Sequence, residues 1–153
     1  MSDKSMAALQ QSFRGRLIGP GDADYDAARA LYNGMIDKKP RLIARCVDVA
    51  DVIAAVNYGR DSGLLIAVRG GGHSGPGLGS CNDGLVIDLS LLKGIRIDAA
   101  SKTVRVEAGC SSGDVDHGRA MGILAQRDKT KRETINLKRN QYRKMIAMRE
   151  SVS

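Results

Sequence analysis

Leu64-Leu65-Ile66-Ala67-Val68-Arg69-Gly70-Gly71-Gly72-His73-Ser74-Gly75-Pro76-Gly77-Leu78-Gly79 is the stretch that decides the fold. Five consecutive apolar residues have the length and continuity of a buried strand. The strand empties into a run with six glycines between positions 70 and 79. Glycine has no Cβ, so such a backbone can turn its N–H groups toward an anion and let it approach closely. Arg69 adds a positive charge at the mouth of the loop. The combination is a cradle suited to a diphosphate. The spacing Gly70-x-Gly72-x-x-Gly75 also fits the dinucleotide fingerprint, but that fingerprint must open a helix whose N-terminus holds the pyrophosphate. Here Pro76, Gly77 and Gly79 follow, and the next regular segment reads as a strand, so the fingerprint is rejected. A merely structural, flexible loop is the plainer alternative.

Upstream, residues 1–19 are polar and read as ragged. Gly19-Pro20-Gly21-Asp22 is a turn, after which Asp22 or Asp24 can cap a helix. Ala27, Ala28, Leu31, Tyr32 and Met35 recur at helical spacing and predict a helix over 25–36. Leu42-Ile43-Ala44 is a short strand. Asp48 or Asp51 opens a second helix with Val49, Val52, Ile53 and Val56 as its apolar stripe and Gly63 as its C-cap. Strand, helix and strand in close succession form a βαβ unit, which makes 42–44 and 64–68 parallel neighbours.

Downstream, Leu85-Val86-Ile87-Asp88-Leu89 is a strand. Ile95-Arg96-Ile97-Asp98 and Val104-Arg105-Val106-Glu107 alternate about a turn at 98–102, which predicts an antiparallel pair with one solvated face. Ser111 or Ser112 can cap a helix over about 113–121 that ends at Gly122. His117 reads as an exposed histidine on that helix.

The chain of 153 residues is long enough for one domain with a modest core. With no Trp and one Phe, that core is aliphatic. Three cysteines, Cys46, Cys81 and Cys110, are an odd number without CxxC spacing, which argues against a disulfide framework or a zinc site. The N-terminus lacks an apolar run of signal-peptide length, and no stretch approaches a membrane span, so the expectation is a cytoplasmic protein without a membrane partner. A net charge of +7 suggests nucleic acid at first sight. Nine of the 24 basic and three of the 17 acidic residues fall in 126–153, so residues 1–125 carry 15 against 14, a net of +1. The basicity belongs to the tail. All 18 glycines precede residue 125, and the composition breaks there. Residues 1–125 therefore read as the domain and 126–153 as a basic tail outside it.

The motifs, taken in order, carry a resemblance. Residues 68–122, VRGGGHSGPGLGSCNDGLVIDLSLLKGIRIDAASKTVRVEAGCSSGDVDHGRAMG, resemble the flavin domain of the vanillyl-alcohol-oxidase-like (PCMH-type) superfamily, and most of all its berberine-bridge-enzyme-like branch. Residues 19–63, GPGDADYDAARALYNGMIDKKPRLIARCVDVADVIAAVNYGRDSG, resemble the same branch. The likeness spans about 14–125. It implies an α+β fold: a PCMH-type FAD-binding domain with a small parallel βαβ subdomain followed by antiparallel strands, here incomplete at its C-terminus. It implies FAD as cofactor, with Arg69, Gly70, Gly71, Gly72, His73, Ser74, Gly77 and Leu78 as binding residues. The loop matching Arg69–Ser74 wraps the diphosphate in that family, and the histidine matching His73 commonly bonds to the 8α carbon of the flavin. The catalytic base and substrate domain of the family lie in segments that this chain does not contain, so no catalytic residue is assigned. Cys110 lies too early to be the second covalent anchor of doubly linked members.

The function so implied is a flavin-linked oxidase or dehydrogenase acting on a small molecule by hydride transfer. The alternative is a non-catalytic remnant with weak or no FAD binding. Nucleic-acid binding by the tail is the weakest of the three readings.

Overall fold

The computed structural model describes residues 3–98, 100–118 and 122. The expectations for 126–153 and for the end of the last helix at 119–121 lie outside them. The described chain forms two compact units. The first comprises the residues up to Gly94 together with Val106–Ser112, and the second comprises Ile95–Arg105 and the residues from Gly113 on.

The first unit is built on a four-stranded sheet in the order β1-β2-β4-β3, from β1 (Arg16–Ile18), β2 (Leu42–Arg45), β3 (Ile66–Arg69) and β4 (Leu85–Asp88). β1 runs antiparallel to β2. Both β2 and β3 run parallel to β4. The βαβ expectation is thus half right: 42–44 and 64–68 share a direction but are not neighbours, because β4 lies between them. β4, read from the sequence only as a strand, joins the parallel set. All four of its residues are buried. A strand of Leu85, Val86 and Ile87 with no polar face until Asp88 is stable only where both faces are covered, at the centre of the sheet.

The side chains alternate between two cores. Leu42, Ala44, Cys46, Leu85 and Ile87 face α1 (Asp3–Ser12) and α3 (Val49–Asp61), where Leu9, Ala55 and Tyr58 meet them. Ile18, Ile43, Ala67 and Val86 face the other way, toward Tyr25 and Ala28 of α2 (Tyr25–Arg29) and Cys81. The N-terminus is therefore not ragged. Met6, Leu9 and Phe13 recur at one-turn spacing and pack on the sheet. α2 is shorter than 25–36. Ala30 turns to an extended ψ of 141°, and the Asn33 side chain accepts the Met35 N–H, a local bond that competes with helix. Neither Asp22 nor Asp24 caps α2 with its side chain: Asp24 occupies the cap position but its Oδ1 accepts from Arg16 Nη2, and Asp22 Oδ2 accepts the Gly19 N–H.

α3 begins as expected, with Asp48 accepting the Asp51 N–H, and is followed by Gly63 at φ +62°. Its buried face is different from the expected one. Val49, Ile53 and Val56 are exposed, whereas Asp51, Ala55, Tyr58 and Gly59 are buried. A Cβ on Gly59 would lie 2.6 Å from Ile66 Cδ1, so the helix backbone sits directly on the sheet there.

In the second unit, β5 (Ile95–Asp98) and β6 (Thr103–Val106) form a two-stranded sheet. Their four-residue connection makes them antiparallel, since parallel strands need a crossover of a dozen or more. Asp98 Oδ1 accepts the N–H groups of Ala100 and Ser101, and Lys102 takes a φ of +54° to complete the turn. β5 alternates between half-buried and exposed residues, and β6 is exposed throughout. Residues 112–118 are helical, with His117 exposed. Gly118 and Gly122 bring that segment against Ile95 and Ile97. Among the described residues, no helix is long and apolar enough to cross a membrane.

Candidate cofactor site

The parallel strands β2, β4 and β3 end in register at Arg45, Asp88 and Arg69. Two cations flank one carboxylate at the carboxyl edge of the sheet, the edge where open α/β sheets bind ligands. Asp88 is 1% exposed. Its Oδ2 accepts Arg69 Nη2 at 2.8 Å and Arg45 Nε at 3.3 Å, and its Oδ1 accepts the Ser90 N–H at 3.0 Å. Burial by itself would raise the Asp88 pKa. The hydrogen bond and charge of Arg69, with the Ser90 bonds, outweigh it and hold the carboxyl below its ordinary value. Arg69 is thus a buried anchor for the strand ends, 7% exposed. The half-buried Arg45, which the sequence reading did not single out, is the second cation on Asp88.

The glycine loop leaves β3 directly after this pair. The element that follows it is β4, not a helix, which removes the dinucleotide fingerprint. Gly70 passes so close to the neighbouring segment that a Cβ would stand 2.3 Å from the Ala108 carbonyl oxygen. Gly72 has φ +72°, a conformation that side-chain-bearing residues resist. His73 is exposed, and its ring lies 5.0 Å from that of Tyr32. Ser74 turns inward: its Oγ accepts the Leu78 N–H and its carbonyl accepts the Gly77 N–H. Gly77 has φ +71° and lies over Ile36, and Leu78 is exposed.

The loop is held by side chains from 33–38 that sequence reasoning missed. Asn33 Nδ2 donates to the Gly75 carbonyl at 2.9 Å. Lys38 Nζ donates to the Gly77 and Ser80 carbonyls at 2.7 and 3.0 Å. These partners lie about forty residues apart in sequence, so no local pattern announces them. Cys46 and Cys81 are buried in the two cores. Burial, with Asp51, Asp88 and Asp48 nearby, pushes the Cys46 thiol up to about 12, which keeps it protonated and inert. Burial also raises Cys81.

The residues present fit the diphosphate of FAD. Among the described residues, no acceptor meets the backbone N–H groups of Gly71, Gly72, His73, Ser74 and Gly75. Five such donors in succession, three of them on glycine, are the kind of backbone groups that an anion takes. Gly72→Val is expected to lower stability by about 1–3 kcal/mol through strain at positive φ. Urea unfolding measures it, and an unchanged midpoint would show that the loop has another conformation open to it.

Comparison with known proteins agrees. A family described as FAD binding domain matches residues 40–128, more than half of the chain. The chain is 40% identical over 111 residues to (R)-6-hydroxynicotine oxidase of Paenarthrobacter nicotinovorans, covering 72% of this chain and 24% of that protein. It is 35% identical over 101 residues to an uncharacterized FAD-linked oxidoreductase of Bacillus subtilis, covering 66% and 22%. Among solved structures, 6-hydroxy-D-nicotine oxidase from Arthrobacter nicotinovorans superposes with a TM-score of 0.68 at 39% identity, over 72% of this chain and 24% of that one. A berberine-bridge-enzyme-like protein of Physcomitrella patens superposes with a TM-score of 0.63 at 33% identity, over 69% and 23%. The chain spans about a quarter of the length of these relatives. It belongs to the FAD-binding domain family of the FAD-linked oxidoreductases, the PCMH-type group with berberine-bridge-like members.

Proposed function

We propose that this chain supplies the diphosphate cradle and flavin anchor of an FAD-linked oxidase or dehydrogenase acting on a small molecule. The observation that carries the reading is the set of five N–H donors at 71–75 that meet no acceptor among the described residues, at the carboxyl edge of the parallel strands. Gly70, Gly71 and Gly72 keep the loop bare for close approach, and Ser74, Gly77 and Leu78 close it into a turn. Arg69 acts through Asp88, fixing where the loop starts. His73 is the residue we assign to the covalent bond with the flavin's 8α carbon: its neutral imidazole, exposed on the loop, would replace an 8α C–H bond, the protons leaving to solvent and the two electrons passing to the flavin and on to dissolved oxygen. Bound FAD would accept a hydride at N5 from a substrate carbon.

The test uses the 153-residue chain incubated with FAD and passed through a desalting column. Yellow protein is expected, and after acid precipitation the colour should stay in the pellet. His73→Ala is expected to bind FAD but release it to the acid supernatant. Colourless wild-type protein would sink the cradle, and colour in its acid supernatant would sink the covalent anchor. Hydrogen peroxide formed on a panel of alcohols and sugars above the rate of free FAD would support turnover by the chain itself, and none above that rate would count against it.

A further inference from the structure

We infer that Tyr32 is a positioning residue for His73, holding the imidazole against the bare backbone of Gly71. The inference deepens the proposed role of His73 and rests on that reading for its purpose. Three observations place it. The rings of Tyr32 and His73 lie with centroids 5.0 Å apart and planes tilted by 47°, within the range of favourable aromatic pairs. On the other side, a Cβ at Gly71 would sit 3.0 Å from His73 Cδ2 and 3.5 Å from Nε2, so that edge of the imidazole rests where Gly71 lacks a side chain. Among the described residues, no hydrogen bond fixes either ring nitrogen of His73.

An exposed imidazole without a hydrogen-bonded nitrogen turns freely about two side-chain torsions. The Tyr32 ring, with the Cδ2–Nε2 edge lying where Gly71 has no side chain, limits that freedom. Tyr32 can do this only because its own segment is tied to the loop. Asn33, the next residue, bonds to the Gly75 carbonyl, and Lys38 bonds to those of Gly77 and Ser80. The tie explains an otherwise odd placement: Tyr32 is 81% exposed, and a large aromatic gains nothing from burial there. Ring pairing of this kind favours the held orientation by about two- to tenfold over free rotation. The phenol hydroxyl takes no part, so Phe should serve as well as Tyr.

The test reads the imidazole directly, without flavin. The chain has two histidines, so His117 is an internal reference in the same sample. Proton NMR of the full chain should show the His73 ring resonances displaced by the Tyr32 ring current, with a cross-relaxation peak between the two rings. Tyr32→Phe should keep the displacement. Tyr32→Leu should abolish it and raise the rate of His73 acylation by diethyl pyrocarbonate about two- to tenfold, with His117 unchanged. Circular dichroism of each variant checks that the fold is retained. Unchanged His73 resonances and acylation in a folded Tyr32→Leu chain would overturn the inference, and so would loss of the displacement in Tyr32→Phe. In the flavin assay, Tyr32→Leu should slow acid-stable attachment by a similar factor, and equal rates would also overturn it. If the wild-type chain takes up no flavin while the ring contact is seen by NMR, the anchor reading fails and the orientation of His73 stands.

Discussion

Replacing Asp51 by alanine is expected to destabilise the sheet unit by about 4 kcal/mol or more, a large share of the stability of a small domain. Asp51 is 0% exposed. Its Oδ1 accepts the Arg14 N–H at 2.8 Å, and its Oδ2 accepts those of Gly15 at 3.0 Å and Val47 at 2.9 Å. One carboxylate thereby ties together the entry to β1, the exit from β2 and the first turn of α3. Alanine removes three half-buried hydrogen bonds to a charged acceptor, each of which contributes about 1.5–3 kcal/mol. Asn should fall between the two. Its carbonyl oxygen, turned to the Oδ2 position, keeps two bonds, but its amide then meets the Arg14 N–H donor to donor. Urea unfolding of the full chain ranks the three proteins. An alanine variant within about 1 kcal/mol of wild type would mean that water replaces the carboxylate and that the tie is dispensable.

The second large effect is expected at Asp88. Asp88→Ala leaves the Arg69 guanidinium buried and unpaired, and breaking one side of a buried pair costs about 3–5 kcal/mol. Acid should act on the same group. Its carboxyl is held below its ordinary pKa in the folded chain. A carboxyl lowered by folding contributes fully above its unfolded value, near about 4, and that contribution drains as pH falls through the lower folded value. Stability should therefore stay level from neutrality down to about pH 5 in this respect and fall at more acid pH. Asp88→Asn, already weaker at neutral pH, should show a shallower acid fall than wild type. Parallel acid profiles for the two proteins would assign the acid sensitivity to other carboxylates, such as Asp37, Asp48 and Asp98, which are also lowered.

The glycine loop, strands β2 to β6 and the turn at 98–102 were legible in the sequence, because local composition and alternation determine them, whereas β1 lies in the segment 1–19 that read as ragged. What was not legible is of another kind. The place of β4 between β2 and β3 is a matter of strand order, and no periodicity encodes which strand pairs with which. The buried face of α3 was misread because size was taken for burial. Val49, Ile53 and Val56 point outward, Val52 alone of the expected stripe packs on the core, and it does so beside Tyr58, Ala55 and Gly59, the last two small enough to let the backbone reach the sheet. Asp51 is a buried acid that reads as an ordinary first-turn residue until its three donors are brought to it from 14, 15 and 47. Within the candidate site, Arg69 was legible as a charge but not as the partner of Asp88. Asn33 fell inside the expected helix over 25–36 and Lys38 just beyond it, and neither stood out because their carbonyl partners lie far along the chain.

The order β1-β2-β4-β3 also has a consequence for how the chain assembles as it is made. β2 and β3 each reach their parallel partner only in β4, and β4 is the last of the four to leave the ribosome. Until residue 88 is available, no parallel ladder exists, and the nascent chain can offer only the antiparallel pair of β1 with β2. The arrival of Leu85–Asp88 then acts as a keystone. It completes two ladders at once, delivers the carboxylate that Arg45 and Arg69 await, and pins both ends of the glycine loop in the same event. The cradle is therefore shaped by the strand that follows it, and a nascent chain that stalls before residue 85 carries the whole motif without its geometry.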